Sequence, residues 1–464
     1  MSFAKTFTDE LVSHLGAQHV RADESTIAAY SADALGIGHA PDLVVMPGSA
    51  TEIASIVRLC NEHRVPIVVR GAGTGYTGGA VPTRGGIVLS MERLNRILEV
   101  DEVNLLAVVE PNVITGELQR AVEQVGLFYP PDPASLATSS IGGNVAECAG
   151  GPRAFKYGTT KRYVLALEAV LPTGEIVNTG SKAVKNVVGY DLTQLLVGSE
   201  GTLAIITRIT LRLMPKPPSR ATLSAFFPTV RHAVDAVSAL IQRRAVPSSI
   251  ELIDGDSIRA VKAYLGRAAS SAAASPDANA LLIVECDGAA VAVEEELDRV
   301  LSACRDSGSV QIVRAANEAE REEVWSVRRQ LSLALRATGL LKINHDVVVP
   351  RGRIAELFET IGALKARHQL QIASFGHAGD GNIHVNLMID RGDQAARARA
   401  REAERELFER VVALEGSISG EHGIGFAKAP YIGIELSPET IALMKRVKAA
   451  FDPNGILNPG KIFP

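Results

Sequence analysis

The chain has no apolar run approaching the roughly 18 residues that a transmembrane helix needs. It also has no basic excess, and no pair of cysteines at the spacing of a metal or iron–sulfur ligand set. Each absence excludes a class of protein. No segment reads as a membrane span. With a formal net charge of −4, the chain lacks the positive field that displaces counterions from phosphates, so nucleic acid is not an expected partner. Cys60, Cys148, Cys286 and Cys304 are scattered and read as reduced, mostly buried thiols, which points to a cytoplasmic protein. The segment Met1–Val20 carries Asp9 and Glu10 among its apolar residues and reads as an amphipathic helix, not a secretory signal. Attachment to the inner membrane through a partner stays open.

What is present is a globular composition, 46% hydrophobic and 22% charged, over 464 residues, enough for two or three domains. The first half alternates strands (43–46, 66–70, 86–90, 107–110, 165–171, 203–211) with helices. In the helix at 51–63, Ile53, Ile56, Val57 and Cys60 share one face. The closely spaced prolines Pro215, Pro217 and Pro218 should end this region. A second region follows, with helices near 230–244 and 294–307, a strand at 281–285 and an Ala/Ser surface loop at 268–275. A charge-dense helix at 395–414 should set a solvated face over a packed one. A tail helix covers 437–451.

Directly after the strand 66–70 comes Gly71-Ala72-Gly73-Thr74-Gly75-Tyr76-Thr77-Gly78-Gly79. Glycines tolerate positive φ and let backbone N–H groups curl around an anion, so this is a phosphate-binding candidate. It is not a dinucleotide site of the Rossmann kind, because the loop leads through Gly85-Gly86 into a strand where that motif opens a helix. Two further small-residue stretches expose backbone for a long ligand. One runs from Pro131-Asp132 through Ser140, Gly142, Gly143 and Asn144 to Gly150; the other is Glu200-Gly201 leading to Ile206.

The segment 376–389, Gly-His-Ala-Gly-Asp-Gly-Asn-Ile-His-Val-Asn-Leu-Met-Ile, is the most specific in the chain. Its glycines permit a tight loop that can bring His377 beside His384. The alternation after it reads as a half-buried strand with His384 and Asn386 on one face. Glu421-His422 stands in a second glycine-rich turn. Two histidines and a glutamate with an open position make the ligand set of a catalytic divalent metal; the competing reading is loop histidines bonded to backbone.

Together these stretches resemble, position by position, the vanillyl-alcohol-oxidase superfamily of FAD-linked oxidoreductases. The likeness is to its branch of glycolate oxidase flavoprotein subunits, D-lactate dehydrogenases and D-2-hydroxyglutarate dehydrogenases, and it runs from about Asp42 to Lys461. It implies an α+β fold: a two-subdomain FAD-binding domain of PCMH type over 1–218, an antiparallel-sheet cap over 219–424, and a C-terminal segment, 425–464, whose helix returns to the flavin domain. It implies that Arg70, Gly71, Ala72, Gly73, Thr74, Gly75, Gly78 and Gly79 hold FAD, with Pro131, Asp132, Ser140, Gly142, Gly143, Asn144, Gly150, Glu200, Gly201, Ile206 and Asn458. Some relatives attach flavin through a histidine in or near this loop; none lies between Arg70 and Val81, so dissociable FAD is expected. Cys148, the nearby thiol, reads as structural.

The pattern G-H-x-G-D-G-N-x-H is intact at Gly376–His384, and E-H-G at Glu421–Gly423. By resemblance, His377, His384 and Glu421 bind the metal, zinc or manganese, and His422 is the base, with Asn386 grouped beside it; a neutral imidazole suits that task. Arg328, in Trp325-Ser326-Val327-Arg328, matches an arginine that grips a substrate carboxylate; the competing reading is a surface helix charge. Lys342 matches a lysine that faces substrate in some relatives, a reading balanced against a structural one.

The implied reaction is oxidation of a small D-2-hydroxy acid (D-lactate, glycolate, D-2-hydroxyglutarate or D-malate class) to the 2-oxo acid, by metal-assisted hydride transfer to flavin N5. No cysteine-rich module follows Pro464, so the electrons are expected to leave to an iron–sulfur subunit, an electron-transfer flavoprotein, a quinone or a cytochrome. A homodimer stays open. The rival readings are an oxidase of another alcohol on the same fold, a subunit active only with an iron–sulfur partner, and a nucleotide-binding module.

Overall fold

The computed structural model describes residues 5–266 and 278–464; the expected Ala/Ser loop at 268–275 lies outside them. The chain divides into two compact units, Met1–Gly150 with Thr159–Lys216 and Glu421–Pro464, and Gly151–Gly158 with Pro217–Gly420. Residues 421–424 group with the first unit, and residues 151–158 and 217–218 with the second.

The first unit holds two larger sheets. Strands Leu43–Val45, Ile87–Ser90 and Ile67–Arg70 run parallel, with Val20–Arg21 added antiparallel at one edge. Helix Ala50–His63 covers them with Ile53, Ile56, Val57 and Cys60, as their spacing requires. It begins in a capping box: Ser49 Oγ accepts from Glu52 N at 3.1 Å, and Glu52 accepts from Gly48 N at 2.7 Å. The N-terminal helix Lys5–Leu15 adds Phe7, Leu11 and Leu15 to the same core. The second sheet is five-stranded and antiparallel, with Ile205–Arg212 at its centre. Met214–Pro215 pairs with Leu127–Phe128, and residues 216–218 after it belong to no strand or helix. A two-residue edge strand tolerates a proline whose missing N–H is not needed by a neighbour.

The C-terminal segment belongs to this unit. After helix Pro438–Phe451, Ile456–Asn458 lies beside Ile67, with Ile67 N donating to Ile456 O at 2.8 Å and Asn458 N to Ile67 O at 2.7 Å. The helix itself buries no residue fully. Its anchor is Lys448, which donates to Thr202 O at 2.7 Å and Leu457 O at 2.8 Å and pairs with Asp452.

The second unit is a seven-stranded antiparallel sheet with helices on both faces. Its last three strands are Gln371–His377, Asn382–Ile389 and Leu341–Val348. Every residue of Asn382–Ile389 is buried, so the half-buried reading is corrected. The strand is paired on both sides in the sheet, and the alternation separates polar from apolar, not wet from dry. Helix Gln394–Ala413 packs Ala396, Ala400, Ala403, Leu407, Phe408 and Val411 inward and leaves its charges in water. Lys156 and Tyr157 tie the 151–158 segment to Asp287 at 2.6 and 2.8 Å.

Asp452→Ala should destabilise the first unit by about 1–3 kcal/mol, because the part-buried Lys448 ammonium loses its carboxylate and the N–H groups of Ile456 and Leu457 lose their acceptor. The drop in urea midpoint at constant m-value measures it.

Candidate active site

In the first unit the glycine loop and the Glu421–Gly425 turn interlock where neither side has room for a Cβ. A Cβ on Gly78 would fall 2.0 Å from the Phe426 ring, and one on Gly425 would fall 2.1 Å from Thr77 O. Both glycines also have positive φ, 78° and 52°. Thr77 O accepts from Phe426 N at 3.1 Å and Ala427 N at 3.2 Å, while Thr77 Oγ1 donates to His422 O at 3.1 Å. The Tyr76 ring stacks on His422 at 5.3 Å and 22°. Glu200, expected to line the cofactor, accepts the N–H groups of Ile424 and Gly425 at 2.7 and 2.6 Å. Glu200 thus holds the turn that carries His422.

The residues around the loop fit FAD. Asp33 Oδ2, Glu147 Oε2 and Asn458 Oδ1 are buried acceptors without a hydrogen-bond partner among the described residues. Asp33 Oδ2 borders Gly75, Glu147 borders Gly423 with Oε2 and Gly79 with Oε1, and Asn458 Nδ2 donates to Gly79 O at 2.9 Å. Such acceptors call for donors, and the hydroxyl and ring N–H groups of FAD are donors. Burial raises the Asp33 carboxyl; burial, then Glu200 and Asp33, raise that of Glu147. Both are pushed toward the neutral form, which lessens the repulsion that a pyrophosphate would meet. Other expected cofactor residues make contacts within the scaffold. Asn144 donates to Thr115 Oγ1 at 2.7 Å, Ser140 caps the helix Ile141–Glu147, and Pro131 O accepts from Gln119 at 2.8 Å. Arg70 donates to Ala32 O at 2.7 Å, and Ile206 is buried in its strand. Cys148 Sγ contacts Thr159 Oγ1 at 3.4 Å.

In the second unit one face of the sheet is polar and buried. Register places Glu251 opposite His377, Phe375 opposite His384, and His384 opposite Asp346. The rings of His377 and His384 stand 5.4 Å apart at 86°, so the tight loop does bring them together. His384 Nδ1 lies 3.8 Å from Asp346, a carboxylate the sequence reading missed. Asp346 also accepts from Asn382 Nδ2 at 2.6 Å and from Gly420 N at 2.9 Å, and Gly420 is the residue before Glu421 in the chain. Two imidazoles and a carboxylate on one buried face are a donor set suited to a divalent cation.

Helix Glu318–Ala337 lies over this face and meets it at spacings of four, three and four residues, which share one side of a helix. Arg321 and Trp325 reach Glu285 at 3.3 and 2.8 Å, Arg328 pairs with Glu251, and Ser332 accepts from Lys342 at 2.6 Å. Arg328 is therefore buried, against the surface-charge reading. Burial above all, then Arg336 and Arg328, push the Lys342 ammonium down to about 8. For Glu251 burial opposes ionisation, but Arg328 and His377 prevail and bring it to about 2. Asn386, grouped with the catalytic set, is fully buried: its amide donates to Ala373 O at 3.0 Å and His384 O at 3.1 Å, and its Oδ1 accepts from Asn344. It ties the neighbouring strands together. Glu251 went unnoticed in Ser249-Ile-Glu-Leu-Ile-Asp254, although a lone acid inside an apolar strand signals a buried charge with a partner.

Replacing Glu200 with alanine should speed hydrogen exchange at Ile424 and Gly425 by about 10- to 100-fold, the equivalent of one to two charged hydrogen bonds. Glutamine, which can still accept one of the two, should fall between; amide exchange read by mass spectrometry checks it.

Comparison with known proteins supports this assignment. Residues 216–462 match the family "FAD linked oxidases, C-terminal domain", and residues 41–180 match "FAD binding domain". The chain is 43% identical to the glycolate oxidase subunit GlcD of Bacillus subtilis, over 91% of this chain and 89% of that protein. It is 36% identical to a D-lactate dehydrogenase of Anaerostipes hadrus, again over 91% and 89%. Its fold is shared with p-cresol methylhydroxylase at a TM-score of 0.81 and 20% identity, covering 98% of this chain and 96% of that one. A PCMH-type FAD-binding unit, an antiparallel-sheet unit and these matches together make the chain a member of the FAD-linked oxidases.

Proposed function

We propose that the chain binds FAD non-covalently and oxidises a small D-2-hydroxy acid to the 2-oxo acid. The observation that carries the reading is His422, stacked on Tyr76 in a turn that the glycine loop and Glu200 hold from two sides. When bound, FAD supplies the acceptor for the hydride that leaves the substrate's Cα. His377, His384 and Glu421 are the proposed ligands of a zinc or manganese ion, which would supply Lewis-acid polarisation of the substrate oxygens. His422 takes the hydroxyl proton, a role for a neutral imidazole fixed in orientation. Arg328 gives its Nε to Glu251, which leaves the terminal nitrogens of its planar fork for the substrate carboxylate. Lys342 adds a second positive charge beside it.

The relatives support the hydroxy-acid class, since they are named as acting on glycolate and D-lactate. A second reading rests on the word "subunit" in those names. In it the chain works within a complex and passes electrons to an iron–sulfur partner, an electron-transfer flavoprotein, a quinone or a cytochrome.

The visible flavin bands of the purified protein should bleach anaerobically with one of D-lactate, glycolate, D-2-hydroxyglutarate or D-malate, and for the chiral acids not with the L-enantiomer. A flavin that no hydroxy acid bleaches would sink the substrate class. His422→Ala should lower kcat by about 10²- to 10⁴-fold with the flavin spectrum unchanged. Lys342 carries its charge below about pH 8 and loses it above, so KM should climb from that pH upward, and Lys342→Met should flatten the rise. Turnover with an artificial acceptor separates the free-standing enzyme from the obligate subunit.

A further inference from the structure

We infer that Glu251 is a positioning residue that sets both the proton on His377 and the placement of Arg328; the inference rests on the proposed metal role of His377. Glu251 lies on strand Ser249–Asp254, with His377 as its register partner on the next strand, so both side chains rise from the same face. Its two oxygens are divided. Oε1 meets His377 Nδ1 at 2.5 Å, and Oε2 pairs with Arg328 Nε from the helix above. The Glu251 side chain has 0% exposure, so no water competes for either oxygen.

A carboxylate gripped by a guanidinium has no proton to give, so the hydrogen in the contact with His377 belongs to Nδ1. An imidazole protonated at Nδ1 keeps its lone pair on Nε2, the nitrogen left to bind a cation. The arrangement is that of a carboxylate behind a metal-binding histidine, which fixes the tautomer and ring angle and raises the basicity of the ligand. Glu251 does the same for the fork of Arg328, whose guanidinium also lies 4.8 Å over the Phe375 ring. The result is one buried acid that aligns a proposed cation ligand and a proposed substrate anchor. Neither is then free to turn without disturbing the other.

The test uses the full chain with FAD bound, stripped of metal and titrated with Zn2+ against a chromophoric chelator. Glu251→Gln should weaken zinc binding by about 10- to 100-fold, the usual consequence of removing such a carboxylate. Glu251→Asp, which keeps the charge, should recover most of it. Glu251→Gln also leaves Arg328 unpaired, so the double variant Glu251→Gln/Arg328→Met, with both buried charges gone, separates folding from positioning. Its circular dichroism and flavin content should match wild type while its zinc affinity stays depressed. Zinc affinity within threefold of wild type in a folded double variant overturns the inference and leaves the metal reading standing. Wild-type protein that takes up neither zinc nor manganese overturns the metal reading itself, and the role of Glu251 toward His377 with it.

Discussion

A carboxylate removed from water costs several kcal/mol unless its charge and lone pairs are matched, and the second unit is organised around meeting that cost at Glu251. Its two oxygens take a guanidinium from helix Glu318–Ala337 and an imidazole from strand Gln371–His377. One buried charge therefore fixes the distance and the rotation of that helix over the sheet. The same helix repeats the device three and seven residues earlier, where Trp325 and Arg321 converge on Glu285. The polar face can stay dry because Glu251 and Glu285 are answered from above. The functional candidates His377, His384 and Arg328 stand on rigid elements for the same reason.

The first unit solves a different problem, the close approach of backbone to backbone. Gly78 and Gly425 let the loop after Ile67–Arg70 and the turn carrying His422 interpenetrate, and Thr77 stitches them from both its carbonyl and its hydroxyl. The chain's last residues then run beside Ile67, so the first glycine loop and the C-terminus, nearly 400 positions apart in sequence, share one sheet edge. Lys448 and Asp452 clasp that return. A loop that must receive an anionic cofactor is in this way built from backbone, with its neighbouring carboxyls pushed toward neutrality by burial.

Much of this was legible in the sequence. The spacing of Ile53, Ile56, Val57 and Cys60 is the helix face seen in the core, and the charge pattern of 394–413 is the solvated helix observed. The glycines of 376–381 brought the two histidines together as expected. Other features were not legible, because they depend on what lies across a sheet or above it. Asn382–Ile389 alternates like a half-exposed strand, yet helices on both faces bury all of it. The amide of Asn386 ties two strands, a contact that its own segment does not announce. Glu200 holds the turn at Ile424, more than 200 residues along the chain, which nothing in its own segment signals.

The sequence by itself determined the local chemistry: a glycine loop after a strand, two histidines at hairpin spacing, a glutamate–histidine pair in a glycine turn, and an arginine on an amphipathic helix. Those depend on neighbours within a few residues, where backbone sterics and periodicity act. Only the tertiary structure decided the partners of the charged groups: Glu251 for Arg328 and His377, Asp346 for His384, Tyr76 beneath His422. Desolvation makes the energy of a buried charge depend on every group around it, whatever the separation along the chain. No reading of a single segment can supply that information.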